Sequence, residues 1–160
     1  MFLNFNLSAN FDPGKFKLVY QLERYLQEHP DDMRDVQLLT LNDEKPYAGL
    51  KGVQGLYGSD EWWTNIRNGV IPSEQVTAQI SDIFAVGFPG DNNPATELQL
   101  LLTDGSYKLL TMKANDPKDF KLFKIGCQIM TFHAFNELKN PSSYFGKPYP
   151  ILIEIAVSVD

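Results

Sequence analysis

Apolar and polar positions along the chain follow two different periods. Residues 2–7 set Leu3, Phe5 and Leu7 against Phe2, Asn4 and Asn6, an alternation that predicts a short strand. Asp12-Pro13-Gly14 then offers a helix start, with Asp12 as cap and Pro13 at the first helical position. Beyond it Phe16, Val19, Leu22 and Leu26 recur at steps of three and four, joined by Leu18 and Tyr25. That stripe predicts an amphipathic helix ended by Pro30. Val36 to Leu41 reads as a strand after an acidic connection. Residues 42–58 hold Pro46 and glycines at Gly49, Gly52, Gly55 and Gly58, a loop composition. Ser59 can cap a short helix with Asp60 and Glu61 in its first turn, Trp62, Trp63 and Ile66 on its apolar face, and Gly69 beyond its end.

The remainder reads as sheet. Gln75 to Phe88 is long enough for one strand, or for two with a bend near Gly87, and residues 89–94 form a surface loop. Glu97 to Thr103 and Ser106 to Met112 flank Asp104-Gly105, a dipeptide suited to a two-residue type I′ hairpin. Cys127 to Phe135 and Ile151 to Val159 supply further strands around a Pro- and Tyr-rich loop at 140–150. The pattern predicts an α+β fold: a curled, mainly antiparallel sheet or small β-barrel of five to seven strands with two helices. Residues 1–160 are read as a single domain, with 1–45 a strand-helix-strand unit and 46–160 a helix plus barrel-like sheet.

Composition narrows the function. At 43% hydrophobic and 12% aromatic the chain has material for a packed core, which excludes general disorder. A net charge of −6 argues against nucleic acid or an anionic membrane as partner, both of which want a basic surface. One cysteine, Cys127, an unremarkable N-terminus and the lack of a long apolar run predict a cytoplasmic protein. The charge is also unevenly placed. Residues 28–44 carry six acids against Arg34, whereas residues 105–147 carry seven lysines against three acids. An acidic segment of this kind can steer a basic partner, and its rival reading is a solvated loop that keeps the protein soluble.

No constellation commits to chemistry. The glycines at every third position lack a phosphate-loop lysine, and Asp60 and Glu61 would repel a phosphate at the helix that follows. His29 near Asp31 and Asp32 lacks converging ligands, and His133 sits among apolar neighbours, so no metal is expected. Cys127 opens an apolar run and reads as a buried small hydrophobe. No catalytic residue and no cofactor is expected. The candidate partner-binding residues are Asp31, Asp32, Asp35, Asp43 and Glu44, together with Trp62 and Trp63, one of which could stand half exposed as an anchor.

The stretch from Gly55 to Pro72, with Gly58-Ser59-Asp60-Glu61-Trp62-Trp63 at its centre, belongs to a wider pattern. The Asp104-Gly105 hairpin, Phe123-Lys124-Ile125-Gly126 and a C-terminal Leu/Ile strand complete it. It resembles, over roughly residues 50–160, small bacterial immunity proteins associated with secreted antibacterial toxins of the polymorphic, contact-dependent or type VI kinds. The resemblance implies a stoichiometric inhibitor whose partner is a cognate toxin, here expected to be basic. Two other readings stay open: a small-ligand-binding protein or enzyme with its site in the barrel mouth, and a structural adaptor of a larger assembly.

Overall fold

A computed structural model describes residues 1–5, 15–87 and 95–159. The expected cap at Asp12 and the loop at 89–94 lie outside the described residues, and the described part of the segment from Gln75 is one strand without a bend before Gly87. The chain runs β1 (Phe16–Gln21), α1 (Leu22–Glu28), α2 (Pro30–Leu41), α3 (Asp60–Arg67), β2 (Ser73–Val86), β3 (Ala95–Leu102), β4 (Tyr107–Thr111), β5 (Gln128–Asn136) and β6 (Tyr149–Ser158). The six strands form one antiparallel sheet in the order β1-β6-β5-β2-β3-β4, curled but not closed. The predicted α+β class holds.

Three elements differ from the periodic reading. The strand expected over residues 2–7 is not formed by the described residues 1–5. The helix expected from Phe16 onward is a strand until Gln21 and a helix only from Leu22. A register shift between Leu18 and Tyr20 buries Val19 and Tyr20 side by side, which breaks the alternation and imitates helical spacing. The apolar strand β6 supplies the ladder that settles it. The strand expected at Val36–Leu41 is the second half of α2. Pro30 occupies the first turn, Asp31 and Asp32 face the positive helix terminus, and Arg34 bonds back to Asp31 at 2.9 Å. This local start chemistry outweighs the four apolar residues among the six of Val36–Leu41.

Elsewhere the pattern reads through. Ser59 caps α3, its hydroxyl accepting from the Trp62 N–H at 3.2 Å, and Gly69 follows the helix at φ +75°. Asp104-Gly105 does join neighbouring antiparallel strands, but Gly105 alone takes positive φ. The Gly105 N–H donates to Leu102 at 3.0 Å and Asp104 Oδ1 accepts from the Ser106 N–H at 2.9 Å. That is a type I turn with a left-handed glycine, one residue longer than the expected type I′ turn.

The inner face of the sheet sends Ala78, Ile80, Leu98, Leu100, Ile129, Ile155 and Val157 against Leu22, Leu26, Trp62, Trp63 and Ile66 of the helices. Each large side chain so buried contributes about 1.5–3 kcal/mol. On the opposite face Met130 and Ala156, paired across β5 and β6, pack under Leu3. Buried Glu154 fixes that N-terminal segment: its Oε1 accepts the N–H groups of Phe2 at 2.6 Å and Leu3 at 2.8 Å, and Oε2 accepts from Gln21 Nε2 at 3.2 Å.

Candidate functional site

Helix α2 buries none of its residues. Met33, Val36, Gln37 and Thr40, spaced for one face, lie half-buried toward the body. Three devices seat it there. The Gln37 amide donates to the Tyr57 carbonyl at 2.8 Å. The Lys139 ammonium donates to the carbonyls of Leu39 at 2.6 Å, Asn42 at 3.2 Å and Lys45 at 3.2 Å, satisfying the C-terminal end of the helix with a cation. Gly58 completes the seat, since a Cβ at its φ of +77° would lie 2.6 Å from the Met33 sulfur.

The outward face carries Asp31, Asp35 and Leu38 at steps of four and three, with Arg34 and Leu41 beside them. Asp43 and Glu44 follow in the next turn, and all five candidate acids are exposed. The three on the helix, Asp31, Asp32 and Asp35, span about 6 Å of its axis at 1.5 Å per residue. Asp32 accepts a hydrogen bond from the Tyr25 hydroxyl, and that bond, followed by burial, raises the Tyr25 pKa and keeps it a donor. Leu38, Leu41 and Tyr47 are 56%, 61% and 76% exposed, so apolar surface stands among the acids.

The tryptophans lie elsewhere. Trp62 is 1% and Trp63 5% exposed, so both pack in the core and neither stands half exposed as an anchor. Their helix is clamped between the sheet and the N-terminal segment. The Trp62 indole N–H donates to Asn136 Oδ1 at 2.8 Å, its ring meets Tyr57 edge-on at 5.2 Å, and Trp63 packs against Phe2 at 5.7 Å. A Cβ on Gly55 would lie 2.7 Å from the Trp62 backbone nitrogen, so the loop before the helix depends on that glycine. The same burial pushes the Tyr57 pKa up to about 12.

Sequence reasoning missed a groove of about 490 Å³ where the sheet stays open. Tyr20, Val36, Tyr57, Lys108, Lys113, His133, Tyr144 and Tyr149 line it, so α2 and both ends of the sheet order meet there. His133 is 6% exposed and its Nδ1 lacks a hydrogen-bond partner. Burial first, and then the charge of Lys108, lower its pKa to about 4, so the ring is neutral at neutral pH. Among the described residues no carboxylate bonds to its ring, and Cys127 is a half-buried free thiol apart from the lining residues. The only hint of the groove in the sequence was a tyrosine-rich loop beside a lysine-dotted sheet.

Among the described residues no group of three or more His, Cys, Asp or Glu is placed to hold a metal ion. No described helix is long and apolar enough to cross a membrane. No curated protein matches the chain. A family model does: the one described as Immunity protein RhsI2 matches residues 16–158, from the first residue of β1 to the last of β6. That match covers most of the chain, and the protein belongs to the RhsI2 immunity family.

Proposed function

We propose that the protein neutralises a cognate toxin by stoichiometric binding and not by catalysis, in the cytoplasm of the cell that makes it. The outer face of α2 and the turn after it steer a basic partner. The observation that carries this reading is a helix with no buried residue that displays Asp31, Asp32 and Asp35, with Asp43 and Glu44 following. Exposed charges of one sign speed encounter, while the apolar Leu38, Leu41 and Tyr47 between them supply area to desolvate. Trp62 and Trp63 serve the site from behind, by holding the body on which the helix sits. The test is protection. Cells expressing the toxin together with this chain should survive, and the two proteins should purify as a one-to-one complex. Survival without complex formation would sink the binding mechanism, and death despite expression of the folded protein would sink the immunity role. The size of the groove favours a rival, a small ligand, which native mass spectrometry of the purified protein would reveal.

A further inference from the structure

The two edges of the sheet are finished differently. At β1, Asn115 covers the outer backbone: its N–H donates to the Val19 carbonyl at 2.9 Å, its Oδ1 accepts from the Gln21 N–H at 2.7 Å, and its Nδ2 donates to the Gln21 carbonyl at 3.1 Å. At β4 the register decides which groups are free. The Met112 N–H donates to Thr96 and the Leu102 N–H to Ser106, with Leu98 opposite Leu110 and Leu100 opposite Lys108 between them. Antiparallel pairs alternate between bonded and non-bonded, so the even-numbered residues of β4 turn their N–H and C=O groups toward β3. Those of Tyr107, Leu109 and Thr111 turn outward, and among the described residues no bond reaches them.

The side chains at this edge are also unfinished. Tyr107 and Leu109 are 62% and 58% exposed on one face. On the other is Lys108, which lines the groove together with Leu109 at its rim and joins no ion pair among the described residues. Lys113 lines it too, 5.8 Å from the centre of the Tyr20 ring. The one carboxylate in the lining, Glu97, already accepts from the Thr111 hydroxyl at 2.7 Å.

We propose that an extended segment of the toxin adds to β4 as a further antiparallel strand, placing acidic side chains in the groove at Lys108 and Lys113 and apolar ones against Tyr107 and Leu109. Backbone bonds to Tyr107, Leu109 and Thr111 supply affinity, and the alternating side chains supply selectivity. Val36 of α2 lines the same groove, so a partner whose basic face meets α2 would present this segment beside it. A second copy of the chain is the poorer occupant, because each carries −6 and each would bring its own lysines to the seam. The proposal rests on the immunity reading for the identity of the partner, and its test separates the two.

Amide exchange of the labelled protein is followed with the peptide Val-Glu-Val-Glu-Val-Glu-Val and with its lysine counterpart. The acidic peptide should slow exchange at Tyr107, Leu109 and Thr111, and the lysine peptide should not. Leu109→Pro removes an outward N–H while sparing the bonds to β3, and should abolish the protection. If that variant does not fold, Lys108→Glu takes its place and should reverse the peptide preference. With the toxin itself, the same three amides should be protected and Leu109→Pro should raise the dissociation rate about tenfold or more. Protection by both peptides alike or by neither overturns the proposal, as does protection that appears on concentrating the protein alone. A toxin that binds the wild type and Leu109→Pro equally overturns the edge assignment and leaves the immunity role standing. A toxin that never binds the wild type overturns that role instead.

Discussion

Helices α2 and α3 both open with acids in the first turn, yet they are held in opposite ways. The eight residues of α3 bury Trp62, Trp63 and Ile66, and a serine hydroxyl caps its start. The twelve residues of α2 bury nothing, and His29 at its start makes no side-chain cap. One helix is fixed by buried apolar side chains, the other by polar bonds at its inner face and its end, from its own Gln37 and from Lys139. The contrast separates a helix that stabilises the sheet from one whose outward residues are free to meet a partner.

The largest effect that should follow from this contrast is on α3. Trp62→Ala should cost about 3–5 kcal/mol in denaturant unfolding, the range for emptying a large aromatic site. A cost below 1 kcal/mol would show that α3 is no more embedded than α2. The body also carries a pH response that α2 should not share. His133 has a folded pKa of about 4 against an ordinary 6.5, so between those values the unfolded chain binds more protons. Stability is therefore full above pH 6.5 and falls as pH drops toward 4, by up to about 3 kcal/mol. Urea midpoints measured across that window should show the slope, and His133→Leu should flatten it.

Charge on α2 comes next in size. Reversing Asp31, Asp32 and Asp35 to lysine should lower toxin association about tenfold at low salt and leave dissociation nearly unchanged. Stability should fall by about 1–3 kcal/mol, because the reversal places cations at the helix start and removes the Arg34 bond to Asp31 and the Tyr25 bond to Asp32. An unchanged association rate would reduce the acidic face to a solvated surface. The smallest difference concerns the caps. Ser59→Ala should cost about 1 kcal/mol, and His29→Ala should cost less, since it removes no cap from the start of α2 and only an exposed contact of its ring with the Tyr25 carbonyl.

The same contrast marks how far the sequence could be read. Helix α3 is legible because every signal that defines it is local: the cap at Ser59, the acids after it, the apolar face and Gly69. The antiparallel neighbours around Asp104-Gly105 were legible for the same reason, although the conformation of Asp104 was not. Strand β1 was misread because a bulge at Val19 makes a strand look helical, and its partner β6 lies over a hundred residues away. The second half of α2 was misread because Leu38 and Leu41 are apolar and yet exposed, so hydrophobicity there does not report burial. Glu154 sits inside an apolar run where a charge argues against burial, and the backbone N–H groups of Phe2 and Leu3, with the Gln21 amide, account for it. The acids of the candidate site could be picked out by their density. The groove could not, since it is assembled from the two ends of the sheet order.

The seat of α2 has a bearing on how such a protein changes over generations. Lys139 grips main-chain oxygens, and a hundred residues of sequence separate it from Leu39. A carbonyl is the same whatever side chain its residue carries. The outward letters of the helix can therefore be rewritten, one after another, without the helix losing its place. A lineage pursued by a changing adversary needs that kind of freedom: a fixed mount on which the recognition text is exchanged while the fold behind it stays as it was.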